Sequence, residues 1–261
     1  MNAPLRPSPS QVARDWALGW WRLLELGARL TVLALAPSSY RRRQRPLLRR
    51  AFYRATAPLL LPFGLISAVA AQIIIRIVLA TASSYGLSRY ALDLLVRTLV
   101  LELIPLSAVL FAALRSTLPA GARLRELERR GLFKAQRAQG LDPLRDTVLP
   151  QALAGMFAAV TLTAISGLIT LMLTYLSVYG FGAWGLAGFT RAVGQIFTPV
   201  IVLIFALKTL GLGLAAALIP MLPTPRELQG GASGGGDLGR LARLLAVVLL
   251  IELLSLVGNY Y

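Results

Sequence analysis

Charged side chains are scarce in the long apolar stretches of this chain, so the few that occur there stand out. Arg76, Arg97, Glu102, Lys208 and Glu252 fall in or beside runs rich in Leu, Ile, Val and Ala, and an unpaired charge inside a membrane is costly. Their chemistry is ion pairing or the gripping of a charged ligand, so each must face a cavity, a partner or another of the group. Most catalytic chemistry is closed to the chain. It has no His and no Cys, which removes imidazole acid–base catalysis, thiolate nucleophiles and the usual zinc sites. Only Asp142 and Asp146 lie close together among the aspartates, too little for the metal and phosphate chemistry of a membrane-embedded headgroup transferase. The glycine run "GGASGGGD", Gly230 to Asp237, lacks the Lys of a phosphate-binding loop. The chain is therefore not expected to be an ATPase itself.

A second charged group is concentrated in "ELERRGLFKAQRAQGLDPLRD", Glu126 to Asp146. The spacing predicts a short amphipathic helix over 124–139, with Leu124, Leu127, Phe133 and Ala138 on its apolar side. Gly140 suits the left-handed residue that closes a helix. Asp142 suits an N-cap and Pro143 the first helical position, so "GLDP" reads as a stop followed at once by a start.

The elements that must position these groups are membrane helices. Over half of the 261 residues are hydrophobic, 56% against 15% charged, a balance that fits a membrane protein. The runs have the length of spanning helices and lack the alternation of a membrane barrel. The expected fold is an all-α polytopic membrane protein. Its spans are predicted at 56–83, 90–118 with Pro105 in the middle, 147–179, 198–222 and 241–257. Residues 1–10 read as a disordered tail, and 11–54 as an interfacial helix followed by a basic linker. Residues 55–261 form the membrane domain, with the charged segment at about 120–146. Over 12–36, Arg14, Asp15, Arg22, Glu25 and Arg29 share a polar arc of about 100°, as in a helix lying in the membrane interface. "LALAP", Leu33 to Pro37, has small residues at signal-cleavage spacing, but Arg22, Glu25 and Arg29 interrupt the apolar core that a cleaved leader needs.

The net charge of +16 comes without aromatic–basic platforms for nucleic acid. It follows topology instead, since most of the 27 Lys and Arg lie in 1–54, 117–146 and 223–243. That pattern places the N-terminus and the charged segment in the cytoplasm and the C-terminus outside.

The "ELIP" of Glu102 to Pro105, the "LR" of Leu114 and Arg115, "GLDP" at Gly140 to Pro143 and "LPQALAG" with Pro150 occur in the order and spacing of the MlaE family of ABC-transporter permeases, which this chain resembles. "FALKT" around Lys208 and the Gly-rich loop before the last span are similar more loosely. The resemblance implies a bacterial inner-membrane permease that moves phospholipid or a related lipid between membranes. Its implied partners are a separate ABC ATPase, a periplasmic MCE-type lipid-binding protein and a second permease copy. ATP and Mg would belong to the ATPase, with no cofactor on this chain. Arg129, Lys134, Arg137, Gly140, Asp142 and Pro143 would form the coupling element, and Arg76, Arg97, Glu102 and Pro105 the lipid pathway.

Within that pathway Arg97 or Arg76 is expected to meet Glu102 and to exchange the carboxylate for a headgroup phosphate. Arg97 stands one turn before Leu101, where the family often has Arg. The plainer expectation is that both arginines snorkel to the interface and Glu102 is paired structurally. Pro105 is expected to kink its span, or else to free a backbone carbonyl inside a cavity. The chain departs from the family at Ile104 and Leu114, which replace Gly, and at Arg123 and Arg125, which replace Glu and Gly. Lys134 and Arg137 replace acidic residues. Such reversals change partner choice, and leave open a non-transporting scaffold or the diverged half of a heterodimer.

Overall fold

Prolines shape the long helices of this protein. In a computed structural model that describes residues 9–36, 45–221 and 236–260, three segments in the long helices widen into π-helical turns, and each wide segment is followed within two residues by a proline. Val96–Leu103 precedes Pro105, Ala113–Thr117 precedes Pro119, and Leu144–Val148 precedes Pro150. Proline lacks the N–H that would bond four residues back, and its ring crowds the carbonyl there. Shifting the neighbouring bonds to i→i−5 relieves that conflict. Thus the amides of Ile104, Leu118 and Leu149 donate to the carbonyls of Leu99, Ala113 and Leu144.

The helices are α1 (Pro9–Leu35), α2 (Arg45–Ser84), α3 (Ser88–Leu95), α4 (Ile104–Ala112), α5 (Leu118–Arg129), α6 (Leu132–Ala138), α7 (Leu149–Tyr179), α8 (Leu186–Ile196), α9 (Pro199–Leu218) and α10 (Gly236–Tyr260). The π turns join α3, α4 and α5 into one rod, and no strand occurs among the described residues. Five stretches are long and apolar enough to cross a membrane: Arg45–Ser84, Tyr90–Arg129, Leu144–Tyr179, Pro199–Met221 and Leu238–Asn259. The protein is a five-span, all-helical membrane protein. The first two spans run longer than the apolar pattern predicts because α2 and the α3–α5 rod continue into their basic flanks.

The main core lies where α2, α4, α7, α9 and α10 meet, around Phe63, Val109, Leu162, Leu212 and Val248. Small residues let the backbones close up, since lipid tails already satisfy large apolar side chains. A Cβ on Gly121 would lie 2.1 Å from the Pro220 carbonyl oxygen, and one on Gly155 would lie 2.4 Å from Thr117 Cγ2. These contacts press α5 against the end of α9, and α7 against the second π turn.

A satellite core around Leu124, Leu149 and Leu218 takes Leu30 of α1, which is 3% exposed. Glu25 and Arg29 of the polar arc are exposed and pair at 2.6 Å. The expected tail lies outside the described residues except for Pro9 and Ser10, which begin α1. The basic linker is described only from Arg45 onward, and the Gly-rich loop only from Gly236.

One expectation is corrected. The helix predicted over 124–139 is broken at Gly131, which adopts φ +74, so Leu124 and Leu127 belong to α5 and Phe133 to the separate α6. Ala138, placed on the apolar side, is exposed. The connection after the third span also contains a helix of its own, α8, which buries Phe189 and Ile196. Leu186, Phe189, Val193 and Ile196 recur at helical spacing, a signal the glycines of "YGFGAWGLAGF" obscure.

Candidate functional site

Lys208 lies in the middle of α9 with 3% of its surface exposed. A cation there must be neutralised by groups brought from other helices. Its ammonium donates to Glu102 Oε2 and, at 2.9 Å, to Glu252 Oε1 of α10. The third donor direction goes to the backbone carbonyl of Leu101, also at 2.9 Å. Glu102 Oε1 accepts from the Asn259 side chain at 3.1 Å. Asn259 stands two turns from Glu252 on the same face of α10, so one side of that helix supplies both partners.

The Leu101 carbonyl is accounted for by Pro105. In an unbroken α-helix that carbonyl would accept from the amide of residue 105, and proline has none. Lys208 supplies a donor. Pro105 thus leaves a backbone acceptor that Lys208 of another helix uses. α8 backs this region, since Val193 and Ile196 pack against Val96, Val100 and Leu101.

The cluster ties the second, fourth and fifth spans together through two carboxylates and one ammonium. Glu252 Oε2 and Asn259 Oδ1 are buried with no hydrogen-bond partner among the described residues. Acceptors thus outnumber donors, and the site carries an excess of negative charge when all three groups are ionised.

The predicted pairing of Glu102 with Arg97 or Arg76 is not formed. Arg97 Nε instead donates to both oxygens of Asp93, one turn earlier, at 3.0 and 3.1 Å. Arg76 is exposed on α2 and makes no ion pair among the described residues. Of the four residues assigned to the lipid pathway, Glu102 and Pro105 contribute to the buried cluster, Pro105 by freeing the Leu101 carbonyl. The two arginines stand apart from it. Lys208 and Glu252 were singled out by being charged within spans, but their pairing was not.

At the basic end of the bundle the chain turns as "GLDP" predicts. Gly140 has φ +73, its amide donates to the Arg137 carbonyl at 3.0 Å, and the Leu141 amide donates to the Gln136 carbonyl at 2.9 Å. These two bonds close α6. Asp142 then accepts from the Leu144 amide at 3.0 Å, and Pro143 is buried at the start of the next helix. Arg129, Lys134 and Arg137 are exposed around this elbow. Phe133 and Leu144 anchor it on the satellite core. Arg125 donates to the Pro220 carbonyl at 2.8 Å and fixes α5 to the end of α9.

The sequence matches the family model for the permease MlaE over residues 48–257. The chain belongs to the MlaE permease family. The match begins in α2 and ends in α10, so it takes in the elbow and Glu102, Lys208 and Glu252 of the cluster, whereas α1 precedes it and Asn259 follows it. Membership makes this protein an ABC-type permease, the transmembrane component of such a system, and implies an ABC ATPase as its partner. No curated protein sequence matches the permease.

Proposed function

We propose that this permease is the membrane half of an ABC-type lipid transporter that moves phospholipid or a related lipid between bacterial membranes. The observation that carries the reading is the rigid elbow, closed at Gly131 and Gly140 and capped by Asp142, at the end of a five-span bundle of this family. A separate ATPase, holding ATP and Mg, docks on it through Arg129, Lys134, Arg137, Gly140, Asp142 and Pro143. Because α5 continues the second span without a break, movement at the elbow reaches the π turn that holds Glu102 and Leu101. The Lys208 cluster is the joint that this movement loads.

The protein sits in the inner membrane with its N-terminus and elbow in the cytoplasm and its C-terminus in the periplasm, as the distribution of Lys and Arg favours. α1 lies along the interface, with its Glu25 and Arg29 face outward. A second permease copy and a periplasmic MCE-type lipid-binding protein complete the assembly. Purification from the native membrane in mild detergent, followed by mass spectrometry, tests this. An ATPase and a periplasmic lipid-binding protein are expected to accompany the chain. Recovery of the chain alone, under conditions that keep other membrane complexes intact, would overturn the reading.

A further inference from the structure

A cavity of about 430 Å³ opens at the basic end of the bundle between the start of α2, the start of α5 and the start of α7. Its volume is in the range of small-molecule sites, about 300–1,000 Å³. Four arginines line it: Arg50 and Arg54, one turn apart on α2, and Arg115 and Arg123 on the facing rod. No acidic residue lines the cavity, and none of the four arginines has an ion pair among the described residues. Like charges at one-turn spacing and across a cavity repel each other. Such an arrangement is stable when an anion sits among them, and guanidinium groups match phosphate oxygens in charge and geometry.

The rest of the lining distinguishes a lipid from a soluble anion. The floor is apolar, formed by Ala55, Pro58, Leu59 and Ala154, and Leu59 belongs to the main core. An amphiphile satisfies both halves, its phosphate among the arginines and its glycerol and upper chains against the floor. Gln151 adds a further point of recognition. It lines the same cavity, and its Oε1 is buried with no donor among the described residues. A headgroup hydroxyl supplies one.

We propose that this cavity holds the phosphate-bearing headgroup of an anionic membrane lipid from the leaflet at the basic end of the bundle. The site is separate from the Lys208 cluster and stands whether or not the permease moves that lipid. It also gives a role to Arg123, one of the positions where the chain reverses the charge its family resemblance leads one to expect.

The test is native mass spectrometry of the full chain in detergent, titrated with phosphatidylglycerol, phosphatidylcholine or inorganic phosphate. One phosphatidylglycerol per chain is expected to be retained, about tenfold or more tightly than phosphatidylcholine. Arg54→Gln with Arg123→Gln should weaken that retention about tenfold or more, since each guanidinium removed loses a charge-assisted contact. Arg191→Gln, on exposed α8 at the other end of the bundle, should leave it unchanged. If the double variant aggregates, Arg123→Gln alone carries the test, with a loss of about threefold or more.

Equal retention of the two lipids, or equal retention by variant and native chains, would overturn the proposal. Displacement of the lipid by inorganic phosphate at equal concentration would assign the cavity to a free phosphate and overturn the lipid source. A variant that keeps the lipid but loses a co-purifying ATPase would make the cavity a protein-docking surface, which also overturns it.

Discussion

The middle of the bundle and its basic end handle positive charge in opposite ways. Lys208 is one cation, nearly inaccessible, held by two carboxylates and a backbone carbonyl. At the basic end, Arg50, Arg54, Arg115 and Arg123 are exposed and have no ion pair among the described residues. The difference follows from the surroundings. Inside an apolar bundle a charge persists only with partners supplied by the protein, whereas at the interface water, lipid phosphates or a docking subunit can supply them.

The largest effect that would break this comparison is expected at Lys208. Lys208→Met leaves Glu102 and Glu252 buried without their cation, and should destabilise the protein by about 3–5 kcal/mol. Thermal unfolding in detergent reads this, and adding Glu102→Gln and Glu252→Gln should recover a good part of the loss. If Lys208→Met unfolds like the native chain, the cluster is not a structural joint.

Next in size is close packing. Gly121→Ala forces a methyl group onto the Pro220 carbonyl and should cost about 1–3 kcal/mol, or more if α5 cannot move away. The same melting experiment checks it, and an unchanged transition would mean that α5 and α9 are free to separate.

At the elbow the expected changes are smaller in stability and larger in coupling. Gly140→Ala meets no atom within 4 Å, so its cost of about 1–2 kcal/mol is backbone strain alone. Asp142→Ala removes an N-cap worth about 1 kcal/mol. Both should lower the ATPase activity that the permease stimulates in its partner, measured in the reconstituted complex. Stimulation left intact by both would move the coupling surface elsewhere.

The smallest effect sharpens the comparison. Arg97 is a cation within a span like Lys208, yet it is half-buried and paired with Asp93 one turn away. Arg97→Ala should change stability by about 0.5 kcal/mol or less. A loss as large as that of Lys208→Met would show that Arg97 has a partner of the same weight. Unchanged stability combined with lost lipid transfer would give it a role in the pathway instead.

How much of this was legible in the sequence depends on how local each decision is. "GLDP" is read correctly because the closing of one helix and the capping of the next involve residues two to five apart. Gly131 was passed over because a glycine inside a charged helical pattern carries no mark that it will turn left-handed. α8 is hard to see for the opposite reason, since glycines interrupt a stretch whose apolar spacing is helical. The π turns were not anticipated either, although the prolines that follow them were in view.

By itself the sequence determined the five spans, the basic end and the elbow, because length, hydropathy and turn chemistry act over a few residues. It also marked Glu102, Lys208 and Glu252 as charges needing partners. Only the tertiary structure decided which partners they take. Residues 102, 208 and 252 meet because α9 and α10 turn particular faces toward the π turn before Pro105, and no periodicity within one helix specifies the face of another. Arg97, with an acid one turn away on its own helix, satisfies itself locally, which leaves Glu102 to Lys208.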